Sequence, residues 1–159
     1  MMIALDYHFK DIYGNFRHFV LFQNPGDDLW CVRDENVLLA RLSRLNGVWR
    51  QLSGEVLPNG FIQAAGTFIQ QYYYDSVPLR IKERWPGIIS TVEKKSDNEI
   101  SVVCKPQLNL RTFQSIFCKH VKLIFQQDIA MNLTVYSYNF AEDFTYKLEV
   151  KAKKELRSV

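Results

Sequence analysis

Apolar and polar residues alternate with a period of two through much of residues 16–52. This alternation is typical of strands that are buried on one side, and it predicts strands at 16–22, 29–33 and 48–52. The turn-forming residues Asn24-Pro25-Gly26-Asp27 separate the first two of these strands. The first third of the chain is therefore predicted to be β-structure.

Residues 37–45 admit two interpretations. Their leucines could form one stripe of a helix that ends at Asn46-Gly47. The same residues can form a strand, because Asn-Gly is the strongest short signal for a two-residue hairpin turn and strand-like alternation resumes directly after it. We favour the strand, which would pair Arg44 with Trp49 across the turn.

The clearest helical pattern follows Pro58-Asn59-Gly60, because apolar side chains recur at helical spacing over residues 61–74. The residues from Asp75 to Pro78 are expected to break this helix, and a short helical turn is predicted at 79–85. A second helix is predicted at 113–125.

The remaining segments read as strands in adjacent pairs, at 88–93 with 100–104 and at 133–138 with 144–152. This order of elements predicts an α+β fold with a mostly antiparallel sheet of about six to eight strands in hairpin pairs. Two main helices are expected to pack on one face of the sheet. The whole chain, 1–159, is interpreted as a single globular domain with a basic C-terminal strand or tail.

The predicted helix at 61–74 contains no charged residue. Surface helices of proteins usually carry charges on their outward face. The outward face here would consist of uncharged side chains, namely Gln63, Thr67, Gln70, Gln71 and Tyr74. Such a face suits burial against another protein chain, and these five residues are the predicted binding site. The alternative is that the face packs beneath residues 75–85 of the same chain.

Composition supports a globular protein, since 47% of the residues are hydrophobic and 23% are charged. Apolar stretches are interrupted by polar residues, so no membrane partner is expected. The net charge of +3 is concentrated after residue 146, where it includes a cluster of lysines: Lys147, Lys151, Lys153 and Lys154. These could bind nucleic acid, but they also suit an edge strand that must not pair with other chains.

The chemistry-bearing residues are few and dispersed. The three cysteines, Cys31, Cys104 and Cys118, share no metal-ligand spacing, so neither a disulfide framework nor a metal site is predicted, and no cofactor is expected. Cys118 lies two residues from His120, which would permit a catalytic pair on a strand but not on a helix. His8 and His18 are expected to be partly buried structural residues. No catalytic residue is assigned.

The function favoured by these patterns is a non-enzymatic protein-binding module, such as an inhibitor or immunity-type partner, or a homodimer. The N-terminal residues do not form a secretory signal, so a cytoplasmic location is expected. A nucleic-acid accessory protein that uses the basic C-terminal strand is one alternative. A small enzyme whose site leaves no sequence motif is the other.

Overall fold

Residues 2–151 are described by a computed structural model. Their contacts form two compact units, which divide between Gln70 and Gln71. The expectation of one domain over the whole chain stays a prediction. In chain order the elements of the described residues are β1 (Ile3–Lys10), β2 (Phe16–Gln23), β3 (Trp30–Asp34), β4 (Val37–Leu45), β5 (Val48–Gly54), α1 (Phe61–Arg84), β6 (Ile89–Ser96), β7 (Glu99–Cys104), α2 (Leu110–His120), a 3₁₀ turn (Val121–Ile124), β8 (Ile129–Tyr136) and β9 (Asp143–Val150).

The first unit contains an antiparallel sheet with the strand order β1-β2-β3-β4-β5. Its strands follow one another in the chain, and each pairs with the next. Val37–Leu45 is a strand, so the helical alternative for this segment is wrong. Asn46 and Gly47 both have positive φ angles, 51° and 79°, as a tight hairpin turn requires. The predicted pairing of Arg44 with Trp49 is confirmed.

Strand β1 was not predicted, although its sequence alternates as a strand should. Tyr7 and Phe9 are buried, and the residues that flank them are exposed. All eight residues of β1 pair with β2, with Tyr7 opposite Phe19 and His8 opposite His18. The missed signal was this alternation, which the aromatic richness of the N-terminal segment obscured.

The first half of α1 packs on one face of this sheet. Phe61 is fully buried, and its ring lies 4.8 Å from that of Phe19 and 5.2 Å from that of Phe9, measured between centroids. Gly66 lies directly against the indole of Trp49 in β5. The side of the sheet that meets α1 through these contacts is its inner face.

Helix α1 continues through Pro78, so the predicted break at 75–78 and the separate helical turn at 79–85 are wrong. The alternative that the uncharged helix face packs beneath a loop at 75–85 is wrong for the same reason. A proline inside a helix costs about 3 kcal/mol, because it removes a hydrogen bond and crowds the preceding turn. Val77 and Ile81 are fully buried, and each such side chain contributes about 1.5–3 kcal/mol. Ile81 and Trp85, which follow Pro78, are both buried, and their burial together outweighs the cost of the proline.

The second unit contains a four-stranded sheet in the order β6-β7-β8-β9. β7 and β8 are parallel, and α2 with the 3₁₀ turn forms the long connection that a parallel pair needs. The side chain of Asn109 caps the start of α2 by accepting a hydrogen bond from the backbone N–H of Thr112. Trp85 packs edge-on against Phe113 in the core of this unit.

The prediction of an α+β fold with mostly antiparallel pairing is confirmed. The described residues contain nine strands where about six to eight were expected. The strands form two sheets, and one of the pairings is parallel. Neither of the described helices has the length and apolarity needed to cross a membrane.

Replacing Gly47 with Val should destabilise the protein by about 1 kcal/mol or more, because β-branched residues strongly disfavour a positive φ. No atom outside the turn lies near the position that a Cβ would take, so the effect comes from the backbone alone. Gly87→Val is the matched control, since Gly87 is equally open and lies outside the positive-φ region. Urea unfolding of both variants checks the prediction, and equal midpoints would contradict it.

Replacing Gly66 with Ala should also destabilise the protein, by about 1–3 kcal/mol, although alanine is the better helix former. The added methyl group would overlap the indole of Trp49. Thr67→Ala, at the exposed neighbouring position, is the control and should be nearly neutral. Thermal melting distinguishes the two outcomes, and a Gly66→Ala variant as stable as the parent would show that Trp49 moves aside freely.

Candidate functional site

The first sheet has a second face, turned away from α1. Side chains alternate between the two faces of a strand, so the neighbours of the inner residues Trp49 and Val32 belong to this outer face. Arg41 is assigned to it because it is the register partner of Cys31 in β3, and its guanidinium acts on the pKa of the Cys31 thiol. Arg33 is assigned to it because its guanidinium lies 5.5 Å above the ring of Phe22, the register partner of Cys31 in β2.

A cluster of arginine and aliphatic side chains occupies the outer face on β3, β4 and β5. We call it the arginine–aliphatic patch, and it consists of Arg33, Leu38, Arg41, Leu45, Val48 and Arg50. Arg33 is opposite Leu38, and Leu45 is opposite Val48. The three aliphatic side chains are 45–48% exposed. Leu45 and Val48 are neighbours across the turn, whereas Leu38 lies seven residues earlier on β4, about 20 Å away along the strand. Adjacent exposed apolar side chains such as Leu45 and Val48 are a feature of binding surfaces.

The charged side chains of the patch are arginines, and two carboxylates lie close to them. Besides burial, Asp27 raises the pKa of Cys31, the register partner of Arg41, and Asp6 is opposite Val20, the register partner of Arg33. The outward positions of β3, β4 and β5, all of them described by the structure, contain arginines but no aspartate or glutamate. The Nε atom of Arg33 is buried and has no hydrogen-bond partner among the described residues.

The histidines of β1 and β2 lie at another part of the outer face. His8 and His18 are register partners with ring centroids 4.9 Å apart, and Nε2 of His18 lies 2.9 Å from Oδ1 of Asp6. Both histidines are exposed, so the expectation that they are partly buried is wrong. Their positions on β1 and β2 alternate with the inward rings of Tyr7, Phe9 and Phe19, which turns the imidazoles toward solvent.

The five residues predicted as a binding face on α1 divide between the two units. Gln63, Thr67 and Gln70 belong to the first unit, and Gln71 and Tyr74 belong to the second. Their role in binding stays a prediction.

Several of these side chains are already engaged within the chain. Oε1 of Gln70 accepts a hydrogen bond from Arg44 at 3.2 Å, and the hydroxyl of Tyr74 accepts one from the backbone N–H of Ala130 at 3.2 Å. Gln71 donates to Asp75, and Lys94 also bonds this carboxylate, which lowers the pKa of Asp75. Gln63 and Thr67 are exposed, as Gln71 is, and the hydroxyl of Thr67 donates to the backbone carbonyl of Gln63.

The lysines of the C-terminal cluster are only partly described. Lys153 and Lys154 lie outside the described residues, and Lys151 directly follows β9. Lys147 projects from β9, which is an edge strand of the second sheet, and it pairs with Glu149 at 3.3 Å. A lysine on an edge strand discourages pairing with other chains, so the described part of this cluster has a structural explanation.

Cys118 and His120 both lie on α2, where residues two apart point in nearly opposite directions. Cys118 packs against the core of the second unit, and burial raises the pKa of its thiol. His120 instead lines a surface depression of about 280 Å³ with Arg84, Leu123 and Ile124. The arrangement does not produce an activated thiolate.

Among residues 2–151, no three histidine, cysteine, aspartate or glutamate side chains are grouped so that they could hold a metal ion. Comparison of the chain with protein-family models, with curated proteins and with solved structures finds no match. Its function must therefore be argued from its own residues.

Sequence reasoning missed the arginine–aliphatic patch. Its residues alternate with buried ones in the strand pattern, but alternation alone does not reveal which of the two sets faces the helix. The presence of leucine and valine in the outward set makes both sets look apolar. The useful signal would have been the arginines themselves, because each of three adjacent predicted strands carries one that lies on the outer face.

We expect all three thiols to react slowly with iodoacetamide at pH 8 in the native protein. Burial raises the pKa of Cys31, Cys104 and Cys118, and that of Cys104 reaches about 11, so little thiolate is present. Cys118 should react first because it is partly exposed. Mass spectrometry of timed samples measures the order, with guanidinium-unfolded protein as the control. A native Cys118 that reacts faster than in the unfolded chain would contradict the prediction.

Proposed function

We propose that this chain is a non-enzymatic protein-binding module that acts through the arginine–aliphatic patch. The observation that supports the proposal is the exposure of Leu45 and Val48, which are opposite each other at the turn between β4 and β5, on a sheet face that also carries Leu38 and outward arginines. Binding surfaces of proteins are enriched in arginine and contain an apolar centre that excludes water. A cytoplasmic location remains part of this proposal.

A regular sheet suits this role because it holds the patch rigidly. Leu45 and Val48 flank the tight turn at Asn46 and Gly47, and both of their strands are paired with each other along their length. Side chains that are ordered before binding lose little conformational entropy when a partner is engaged. The patch is thus presented by backbone hydrogen bonds and by the contacts of the inner face with α1.

The exposed remainder of α1, Gln63 with Thr67, is a second possible contact surface for the same function. Its side chains are small or uncharged, and they offer less apolar area than the patch. Gln63→Glu with Thr67→Glu introduces charge there without touching the bond between Gln70 and Arg44. Loss of partner binding in this variant, with the patch intact, would show that the interface lies on the helix.

The proposal predicts that Leu38→Ser with Leu45→Ser abolishes capture of a specific partner from extracts of the native cell. Both leucines are about half exposed, so the fold should survive and the melting temperature should change little. The matched control is Leu79→Ser with Leu123→Ser, which removes two leucines that are 61% and 69% exposed elsewhere. Quantitative mass spectrometry compares the proteins retained by the parent and by each variant.

A protein retained by the parent and by the control, but lost from the patch variant, must then be purified and its affinity measured by calorimetry. The affinity should fall at least about tenfold in the patch variant, as expected when apolar contacts at the centre of an interface are removed. Equal affinities for parent and patch variant would refute the proposed function.

A further inference from the structure

We infer that the partner of the arginine–aliphatic patch presents an acidic protein surface, in which carboxylates lie beside apolar side chains. The inference rests on the proposed function and adds the chemistry of the partner to it. Three features carry it: the excess of positive charge, the aliphatic character of the apolar residues, and the hydrogen-bonding geometry of arginine.

The charge of the patch determines the charge of the partner that it attracts. Arg33, Arg41 and Arg50 are at outward positions on three neighbouring strands, and no acidic residue shares those positions on β3 to β5. Strands in a sheet are about 4.8 Å apart, so the fields of these arginines overlap within the screening length of physiological salt. A partner with carboxylates at matching positions is attracted, and a basic partner is repelled.

The apolar residues select the class of the partner. Leu38, Leu45 and Val48 are aliphatic and offer no ring on which a base could stack. Single-stranded nucleic acids are bound by aromatic side chains beside a basic groove, and their interfaces are more polar than those between proteins. The aromatic rings on the outer face belong to β2, where Phe22 lies beneath Arg33 and Phe16 beneath Lys10. The patch therefore favours a protein over a nucleic acid.

Arginine is also the cation best suited to carboxylates. Its planar guanidinium donates two parallel hydrogen bonds to one carboxylate, and such pairs are stronger than neutral hydrogen bonds. Arg41 and Arg50 are exposed, so their guanidinium groups are within reach of an incoming carboxylate. A second copy of this chain fits less well, because a symmetric contact through the patch would bring two positively charged surfaces together.

The test uses purified full-length protein and three fluorescein-labelled probes in a fluorescence anisotropy titration. The first probe is a peptide of Glu-Leu-Asp-Gly repeats, and the second is its uncharged match with Gln-Leu-Asn-Gly repeats. The third is an oligothymidylate of similar length. The parent protein should bind the acidic peptide at least about tenfold more tightly than the neutral one, because charged hydrogen bonds and charge attraction are added to the apolar contacts.

The variant Arg41→Gln with Arg50→Gln should lose most of this preference, by about tenfold. Its control, Arg111→Gln with Lys119→Gln, removes two exposed positive charges from α2 and should bind as the parent does. Raising the salt concentration should weaken binding of the acidic peptide to the parent. It should have a much smaller effect on binding to Arg41→Gln with Arg50→Gln. Thermal melting of each variant confirms that the fold is retained.

Other outcomes overturn the inference in distinguishable ways. Tighter binding of the oligothymidylate than of the acidic peptide, with the same loss in Arg41→Gln with Arg50→Gln, would make the partner a nucleic acid. Equal binding of the two peptides, or no binding of either, would reject an acidic partner.

The serine and glutamine variants together distinguish failure of the inference from failure of the proposed function. If Leu38→Ser with Leu45→Ser loses the captured partner while Arg41→Gln with Arg50→Gln keeps it, the proposed function stands and the inference fails. If neither variant changes capture, the proposed function fails.

Discussion

Burial of the Phe61 ring is the contact on which the first unit depends. This side chain is fully buried at the start of α1 and meets the rings of Tyr7, Phe9 and Phe19 from two strands, with centroid distances between 4.8 and 5.8 Å. Aromatic rings in such edge-on arrangements contribute beyond their buried area. Phe61 packs on the inner face of the sheet. Because strand side chains alternate, the remaining residues form the outer face, which includes the arginine–aliphatic patch.

The uncharged character of the first half of α1 has an explanation within the chain. Gly66 is in contact with Trp49, and Gln70 accepts a hydrogen bond from Arg44 of the strand paired with β5. A glycine permits the close approach of helix and indole, and a neutral amide satisfies a guanidinium without placing a second charge in a half-buried position. Packing against the inner face thus accounts for the glycine within this helix and for the uncharged residue at position 70.

The second unit shows how nonlocal burial overrides a local signal. Val77, Ile81 and Trp85 follow one another at intervals of four residues and are buried beside Phe113 and Phe117. A helix that ended before Pro78 would lose this apolar stripe, whereas a continuous helix loses about one hydrogen bond. Cys118 of α2 packs against the same core, and this burial raises the pKa of its thiol. The helix turns Cys118 away from His120.

The sequence by itself determined the features that depend on residues close together in the chain. The hairpin at Asn46 and Gly47 was predicted with its register, because only a few residue types accept positive φ at both turn positions. The two helices and most strands were predicted from periodicity, since 3.6-residue and two-residue repeats reflect local geometry. Only the tertiary structure decided the division into two sheets, the parallel pairing of β7 with β8, and the continuity of α1. It alone also decided which set of alternating residues faces solvent. Those properties depend on which distant residues bury one another, and a local repeat of apolar residues is the same whichever side of the sheet the helix covers.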